Sequence, residues 1–510
     1  MLRAVQRHTF FRDSGLSASV HQKPTRNLMQ TTSAHTPAGL PLYVDVDGTL
    51  LKTDLLMESA LRLFKRSPVS VFLMLRWLVR GGRAMLKHEI AHRVDLDASK
   101  LPYRSEIVAM CHEARNSGRE VVLATGAATK YADAIAKHLG LFDSTLGTTA
   151  DVNLTGHRKL QAILRRCGER RFVYAGNEYK DLDIWNHAGG AVVCGSTRLA
   201  RMTAKVTVVE HHVVEERIDV KLLLRAMRIH QWAKNILVFL PFLPLLGTLA
   251  IADWLLGVAA FVSFGLCASS VYLTNDLMDL DADRAHPTKC HRPVPAGNLP
   301  LPNAIGLALF LLLAAFTLAA ALLPLVFLSV LAVYWALTTA YSLDLKGRIN
   351  VDILALALLY TMRVLGGSAV LMLRPSFWML AFSVFLFFSL AAVKRLIELR
   401  ALGDASVTGQ PVGRGYIVKD IPVLLTQGTA SGQLAVLVFA LYINDASAAA
   451  HFAHPEFLWG VCPCLFLLIN RVWMKASRGE VNEDPVLFAL HDRFSRGIVV
   501  VAGICVALAA

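Results

Sequence analysis

Two stretches of the chain carry residues whose types and spacing can do chemistry. The first is Asp45-Val-Asp47-Gly48-Thr49, two carboxylates two positions apart followed by glycine. One such side chain can act as nucleophile and the other as general acid/base, while the turn leaves room for a phosphate and a divalent cation. Further along stand Thr125 at the end of an apolar run, Lys159 in NLTGHRK, and Gly176-Asn177-Glu178-Tyr179-Lys180-Asp181. A hydroxyl, a lysine and a further carboxylate are what holding a phosphoryl group and Mg2+ requires.

The second stretch, NDLMDLDADRAHPTKCHRP, follows an apolar run long enough to cross a bilayer. Asp276, Asp279 and Asp283 fall at i, i+3 and i+7, which on a continuous helix places them within a sector of about 60°. Asp281 points elsewhere and reads as a bystander. Like charges packed this way repel unless a cation neutralises them, and Mg2+ does so while bridging to a diphosphate. A solvated acidic loop is the plainer reading, but such loops seldom set their acids on one face directly after a span. A calcium loop lacks the required glycine and terminal glutamate.

More candidates for phosphate surround this stretch. Arg228, Gln231, Trp232, Lys234 and Asn235 lie in RIHQWAKN, Lys289 and Arg292 follow the acids, and Lys346 lies in YSLDLK. Arg363 sits inside a later apolar run, where an arginine is expensive and marks a functional site. The Lys394-Arg395 pair opens a loop with Glu398 as its nearest acid, which suits a second phosphate without a second metal cluster. Arg471, Lys475 and Arg478 need no more than the positive-inside rule.

These residues require two kinds of scaffold. The chain has 510 residues, is 55% hydrophobic and 18% charged, and has a mean hydropathy of +0.47. Residues 41–235 have ordinary soluble composition, whereas 236–510 hold repeated apolar stretches of bilayer length. In the first part, LPLYVDVDGTL, EVVLATGA, RRFVYAGN and GAVVCG read as strands separated by helical segments, as in a doubly wound α/β sheet. Residues 54–93 are helical in pattern. Their apolar stretch VSVFLMLRWLVRGG is interrupted by Arg76 and Arg80, a poor membrane span that can touch the lipid surface or pack under a partner domain. The second part offers nine candidate spans, from 236–252 to 496–510.

The net charge of +14 does not point to nucleic acid, because the basic residues sit mostly between the apolar spans. Setting the loops after alternate spans on one side leaves only Arg374 opposite them, so the basic loops and the N-terminal domain are expected to face the cytoplasm of a multi-pass inner-membrane protein. The eight cysteines form no CxxC pair, against a disulfide framework or zinc site. Residues 1–40 imitate a transit peptide in composition and read as a disordered extension. The expected division is therefore 1–40 extension, 41–205 soluble α/β domain, 206–235 linker and juxtamembrane helix, and 236–510 membrane bundle.

In order and context, the N-terminal motifs resemble those of the haloacid dehalogenase (HAD) phosphatase superfamily, with residues 53–100 standing where that family carries a small helical cap. The resemblance implies that Asp45 is the nucleophile, Asp47 the general acid/base, Thr125 and Lys159 phosphoryl ligands, and Asp181 a metal ligand beside Asp45 and Asp47. Asn177 stands where the last motif usually begins with an acid, which weakens charge compensation for the metal. The acid-rich stretch, YSLDLK and the nine spans resemble the UbiA family of intramembrane prenyltransferases over 222–510. RIHQWAKN, HPTKCHRP and VKRLIE look most like its decaprenyl-phosphate phosphoribosyltransferase branch. That resemblance implies an all-α bundle of about nine transmembrane helices with Mg2+ on Asp276, Asp279 and Asp283. Asp276 and Asp279 would serve catalysis, Asn275 and Lys289 would position the donor with Arg292, Lys234 and Lys346 nearby, and Arg363, Lys394 and Arg395 would hold the acceptor. The implied reaction moves 5-phosphoribose from phosphoribosyl diphosphate to a polyprenyl phosphate, with the HAD domain removing the 5-phosphate. Aromatic prenylation from a polyprenyl diphosphate is the alternative enzyme, and a scaffold whose HAD domain only binds phosphorylated ligands is the alternative class. A transporter would carry its polar residues at the midplane rather than at one face.

Overall fold

The computed structural model describes residues 39–149, 152–215, 217–401, 414–445, 452–481 and 485–509. The expected N-terminal extension lies almost wholly outside them.

A three-layer α/β domain comes first. Six parallel strands run in the order β3-β2-β1-β4-β5-β6: β1 Leu42–Val44, β2 Val121–Ala128, β3 Ser144–Thr148, β4 Val173–Gly176, β5 Gly190–Gly195 and β6 Val209–Val214. The central strands are apolar on both faces, as a sheet covered on both sides demands. Val44, Leu123, Ala175 and Val192 face one helical layer, and Tyr43, Val122, Phe172, Tyr174 and Val193 face the other with Trp185. The sixth strand carries the sheet past residue 205. Between β1 and β2 lie α1 (Leu55–Arg66), α2 (Ser70–Arg93) and α3 (Ser105–Asn116). Asp54 caps α1 by accepting from the Met57 N–H at 3.0 Å. Past β2 strands and helices alternate: α4 (Thr129–Leu139) follows β2, α5 (His157–Cys167) follows β3, α6 (Leu182–His187) follows β4 and α7 (Thr197–Thr203) follows β5.

The rest is helical. After α8 (Val220–Met227) the chain winds through Ile229–Leu245, a tight helix interrupted by Pro241 and Pro244. Among the described residues, seven helices are long and apolar enough to cross a membrane. They include α9 (Ile251–Met278), and, beyond the short α10 (Leu280–Arg284), α11 (Leu301–Leu322), α12 (Leu325–Leu343), α13 (Val351–Val370) and α14 (Phe377–Arg400). Val418–Asn444 and Pro455–Ser477 complete the seven. The other two expected spans correspond to Ile229–Leu245 and Arg493–Ala509, each 17 residues. α13 is the most enclosed of the seven, and it carries Asp352 and Arg363 into the bundle.

The two parts touch through α1. Leu61 packs into a cluster with Leu273, Leu277, Leu280, Leu299 and Leu301 at the ends of α9 and α11. The loop before α11 closes against the loop after β1, where a side chain on Gly297 (φ +74°) would collide with Lys52.

Candidate active sites

The first site lies at the carboxyl edge of the sheet, where doubly wound folds bind their ligands. Asp45 follows β1 directly, buried, and its Oδ1 accepts from Lys159 Nζ at 2.9 Å. Lys159 also donates to the Tyr174 hydroxyl at 3.0 Å. Asp47 Oδ1 accepts from the Leu55 N–H, the first turn of α1, at 2.9 Å. Thr125 is fully buried on β2, its Oγ1 accepting from the Ala127 N–H at 3.0 Å. Asp181 Oδ2 accepts from the backbone N–H groups of Asn177 and Glu178 at 3.0 and 2.9 Å. The predicted residues are thus brought together, with their geometry set by two glycines. Gly48 has φ +74°, and any Cβ there would strike the Asn177 amide; at Gly176 one would strike Asp181 and Tyr174. Asn177 itself accepts from the Thr49 hydroxyl at 3.2 Å.

Burial, then the neighbouring Asp54 and Asp45, push the Asp47 carboxyl up to about 8. Burial, then Asp45, raise Asp181 to about 6, against the pull of Lys159. Asp45, Asp47 and Asp181 offer oxygen donors of the type Mg2+ takes, although their carboxylates do not gather tightly enough to hold a metal ion as a set of three.

Sequence reasoning missed Lys87. The second half of α2 carries it over the site, where it donates to the Gly126 carbonyl at 2.6 Å. It lines a small cavity of about 30 Å3 with Asp47, Asp54, Ser59 and Tyr131, and burial lowers its pKa. Its distance from the DxDGT turn in sequence hid this role.

The second site gathers around the end of α9. Asp276 is buried and paired with Arg228, which stacks on Tyr272, and with Arg292 Nη1 at 3.2 Å. Arg292 bridges onward to Asp283 at 2.8 Å, and Lys289 Nζ stands 3.8 Å from Asp283. Asp279 turns away to Lys346 at 2.7 Å and Lys65 at 3.3 Å. Burial alone would raise its carboxyl, but those two lysines hold it below the usual carboxylate range. Asn275 contributes a backbone carbonyl to the Asp279 N–H at 2.9 Å.

The expectation of three acids on one continuous face is corrected here. Asp279, at φ −105° and ψ 20°, separates α9 from α10, so helical phase does not carry across it. Among the described residues no three of His, Cys, Asp or Glu gather tightly enough to hold a metal ion together. Instead each acid meets a cation. Asp276 and Asp283, joined by one guanidinium, offer oxygen donors of the type Mg2+ takes, with Arg292 as the group it would displace.

Asp281 is not a bystander either. Arg62 of α1 grips both its oxygens at 2.9 and 2.5 Å, and holds its carboxyl low although burial opposes this. Arg284 forks onto Glu58 of α1 at 3.0 and 2.6 Å, and Glu58, fully buried, also accepts from Arg62 at 3.0 Å. Lys65 donates to the Met278 carbonyl at 2.7 Å, capping α9. The only local sign of this clasp was a charged stripe on α1, and its partners lie more than two hundred residues away.

Deeper in the bundle, Arg363 donates to Asn235 Oδ1 at 2.8 Å, Leu359 O at 2.6 Å and the Tyr334 hydroxyl at 2.9 Å. Its guanidinium and Lys234 Nζ flank the Tyr360 ring at 5.6 and 5.8 Å. Arg395, 1% exposed, spends Nε on Asp352, Nη1 on Glu398 and Nη2 on the Tyr341 hydroxyl. Asp352 accepts in addition from the Tyr416 hydroxyl at 2.8 Å. Arg395 is thereby placed in a packed ion-pair network, while its neighbour Lys394 is half-buried.

A Rossmann-like domain with a carboxylate pair at its sheet edge is thus clasped to a helical membrane bundle with an acid-and-base cluster at a span end. The UbiA prenyltransferase family profile matches residues 237–491, and the haloacid dehalogenase-like hydrolase profile matches residues 42–183. The chain is 37% identical to an uncharacterised protein of Sinorhizobium fredii over 89% of its own length and 88% of that protein's. It is 32% identical to nodulation protein NoeC of Azorhizobium caulinodans, over 56% of this chain and 91% of that one. Decaprenyl-phosphate phosphoribosyltransferase of Mycobacterium tuberculosis is 34% identical over 53% of this chain and 87% of its own. The chain belongs to the UbiA prenyltransferase family, as an integral membrane protein that also carries a haloacid dehalogenase-like domain.

Proposed function

We propose that the bundle transfers 5-phosphoribose from phosphoribosyl diphosphate to a polyprenyl phosphate, and that the hydrolase domain then removes the 5-phosphate. The observation that carries this reading is the charge around the acidic segment. Asp276, Asp279 and Asp283 are met by Arg228, Lys289, Arg292 and Lys346, drawn from three different segments. Such a cluster suits a donor with phosphates at both ends of the sugar better than one prenyl diphosphate. The relatives named decaprenyl-phosphate phosphoribosyltransferase support the same choice.

In this reading Lys289, Arg292 and Lys346 hold the diphosphate and Asn275 orients the donor. Lys234 and Arg363, converging on Tyr360, take the acceptor phosphate together with Lys394, while Arg395 braces the helices around them. An acceptor oxygen attacks the ribose C1 as the C1–O bond to diphosphate breaks, the electron pair leaving with the diphosphate. Mg2+, when bound near Asp276, Asp279 and Asp283, supplies charge neutralisation for that leaving group. In the hydrolase domain Asp45 attacks phosphorus as the bond to the ribose 5-oxygen breaks, Lys159 and Thr125 hold the phosphoryl oxygens, Asp47 protonates the departing oxygen, and water then cleaves the Asp45 acyl phosphate to release phosphate. Asp181 completes the donor set for Mg2+. The charge of the basic loops supports a cytoplasmic position for both sites.

The test is label transfer in membranes holding the full chain. Labelled phosphoribosyl diphosphate should enter the lipid extract, and the Asp45→Asn variant should accumulate the phosphorylated lipid. Label moving only from a polyprenyl diphosphate onto an aromatic acceptor overturns the proposal in favour of aromatic prenylation.

A further inference from the structure

The first half of α2 presents an apolar face that nothing among the described residues covers. Phe72, Leu75 and Val79 lie at i, i+3 and i+7, and Phe72 and Val79 are 72% and 85% exposed. Val69, Leu73 and Leu78 add to the patch. The opposite face is spent on the domain itself: Trp77 is buried against Leu63 and Ile90, with Met74 beside it, and Arg93 lies over its ring. A face this apolar on a folded domain marks a surface of interaction.

Its borders say which. Arg76 and Arg80 flank the stripe and Arg83 follows, all exposed, and from Ser59 to His88 the chain holds no Asp or Glu. An apolar stripe edged by arginines is the pattern of a helix lying in the headgroup region of an anionic bilayer. Position agrees. α1 packs against the ends of two spans through Leu61 and caps α9 with Lys65. α2 begins four residues after α1 ends, a connection reaching at most about 14 Å. The helix then kinks at Gly82, φ +65°, and its second half delivers Lys87 to the hydrolase pocket.

We propose that Ser70–Gly81 docks on the anionic bilayer surface beside the bundle, and that this docking turns the hydrolase pocket toward phosphomonoesters carried on lipids. The segment sets the substrate class of the hydrolase site by where it holds the pocket, without touching the reacting atoms. The choice of substrate rests on the hydrolase reading above; the docking does not.

The docking is tested by photo-crosslinking, with p-benzoylphenylalanine replacing exposed Val79 in the full chain, reconstituted in vesicles of phosphatidylcholine and phosphatidylglycerol. Lipid adducts are expected at Val79 and not at Lys137, an exposed position on α4. An adduct to a second copy of the chain, to another protein, or to nothing overturns the proposal. The consequence is tested with Arg76→Gln/Arg80→Gln/Arg83→Gln, comparing a phosphomonoester on a polyprenyl chain with p-nitrophenyl phosphate. Hydrolysis of the lipid substrate should fall about a hundredfold, in keeping with the loss of three surface cations, while that of p-nitrophenyl phosphate holds. Equal loss on both substrates, or on neither, overturns the substrate assignment. If neither substrate is hydrolysed by the unaltered chain, the hydrolase reading fails and the crosslinking result stands on its own.

Discussion

Glu58→Gln isolates the clasp between the two domains. The Glu58 carboxylate has no exposed surface and takes three bonds: two from Arg284 at 2.6 and 3.0 Å and one from Arg62 at 3.0 Å. Glutamine fits the space but sets an NH2 against guanidinium N–H groups. Arg62 keeps Asp281, whereas Arg284, its side chain 6% exposed, keeps only the Pro295 carbonyl at 3.0 Å. Stranding one charge of a buried pair costs about 3–5 kcal/mol. At roughly 2–4 °C per kcal/mol for a domain of this size, the Tm should fall by at least about 6 °C. The assay is thermal unfolding of the detergent-solubilised full chain followed by fluorescence. Because the cost comes from the stranded guanidinium, Glu58→Gln/Arg284→Met should recover at least half of the loss. A shift below about 1 °C, or a double variant as unstable as the two single ones summed, refutes the clasp.

Asp276→Asn removes the carboxylate that Arg228 and Arg292 share, and transfer should drop by about a hundredfold or more in protein that still elutes as the folded chain, with a lowered Tm because two guanidinium groups lose a buried partner. Lys346→Gln releases Asp279 and should raise the KM for the diphosphate donor more than it lowers kcat, read from initial rates. Asp45→Asn should abolish phosphate release while leaving transfer within about twofold, since the nucleophile lies in the other domain. Arg395→Met should cost stability of about 3 kcal/mol by leaving Asp352 buried without its guanidinium, a loss seen in thermal unfolding; loss of transfer without loss of stability would instead return Arg395 to the acceptor site.

The hydrolase site was legible because its information is local. A DxDGT turn after an apolar strand places Asp45 and Asp47 by chain geometry alone, and the later motifs fall at strand ends of the same parallel sheet. The acidic segment was half legible. Residue types and membrane position pointed to phosphate chemistry, but one-face phasing assumed a helix that does not pause at Asp279. What escaped were pairings between distant parts of the chain. Arg395 looked like an acceptor ligand in sequence because Asp352 and Tyr416, which engage its network, come from other segments. Asp281 looked idle because Arg62 belongs to another domain.

Those distant pairings bear on why one chain carries both domains. A tether alone would raise the local concentration of the transferase product near the hydrolase. The structure has more than a tether. The amide at the start of α1 bonds Asp47, and the lysine ten residues on, Lys65, bonds Asp279. At 1.5 Å per residue that places the two acid sites about 15 Å apart along one helix. A single 12-residue helix, braced by Glu58, Arg62 and Leu61, thus connects the Asp47 turn directly to the acidic segment. Lys65 makes that connection twice, donating to the Met278 carbonyl at 2.7 Å and to Asp279 at 3.3 Å.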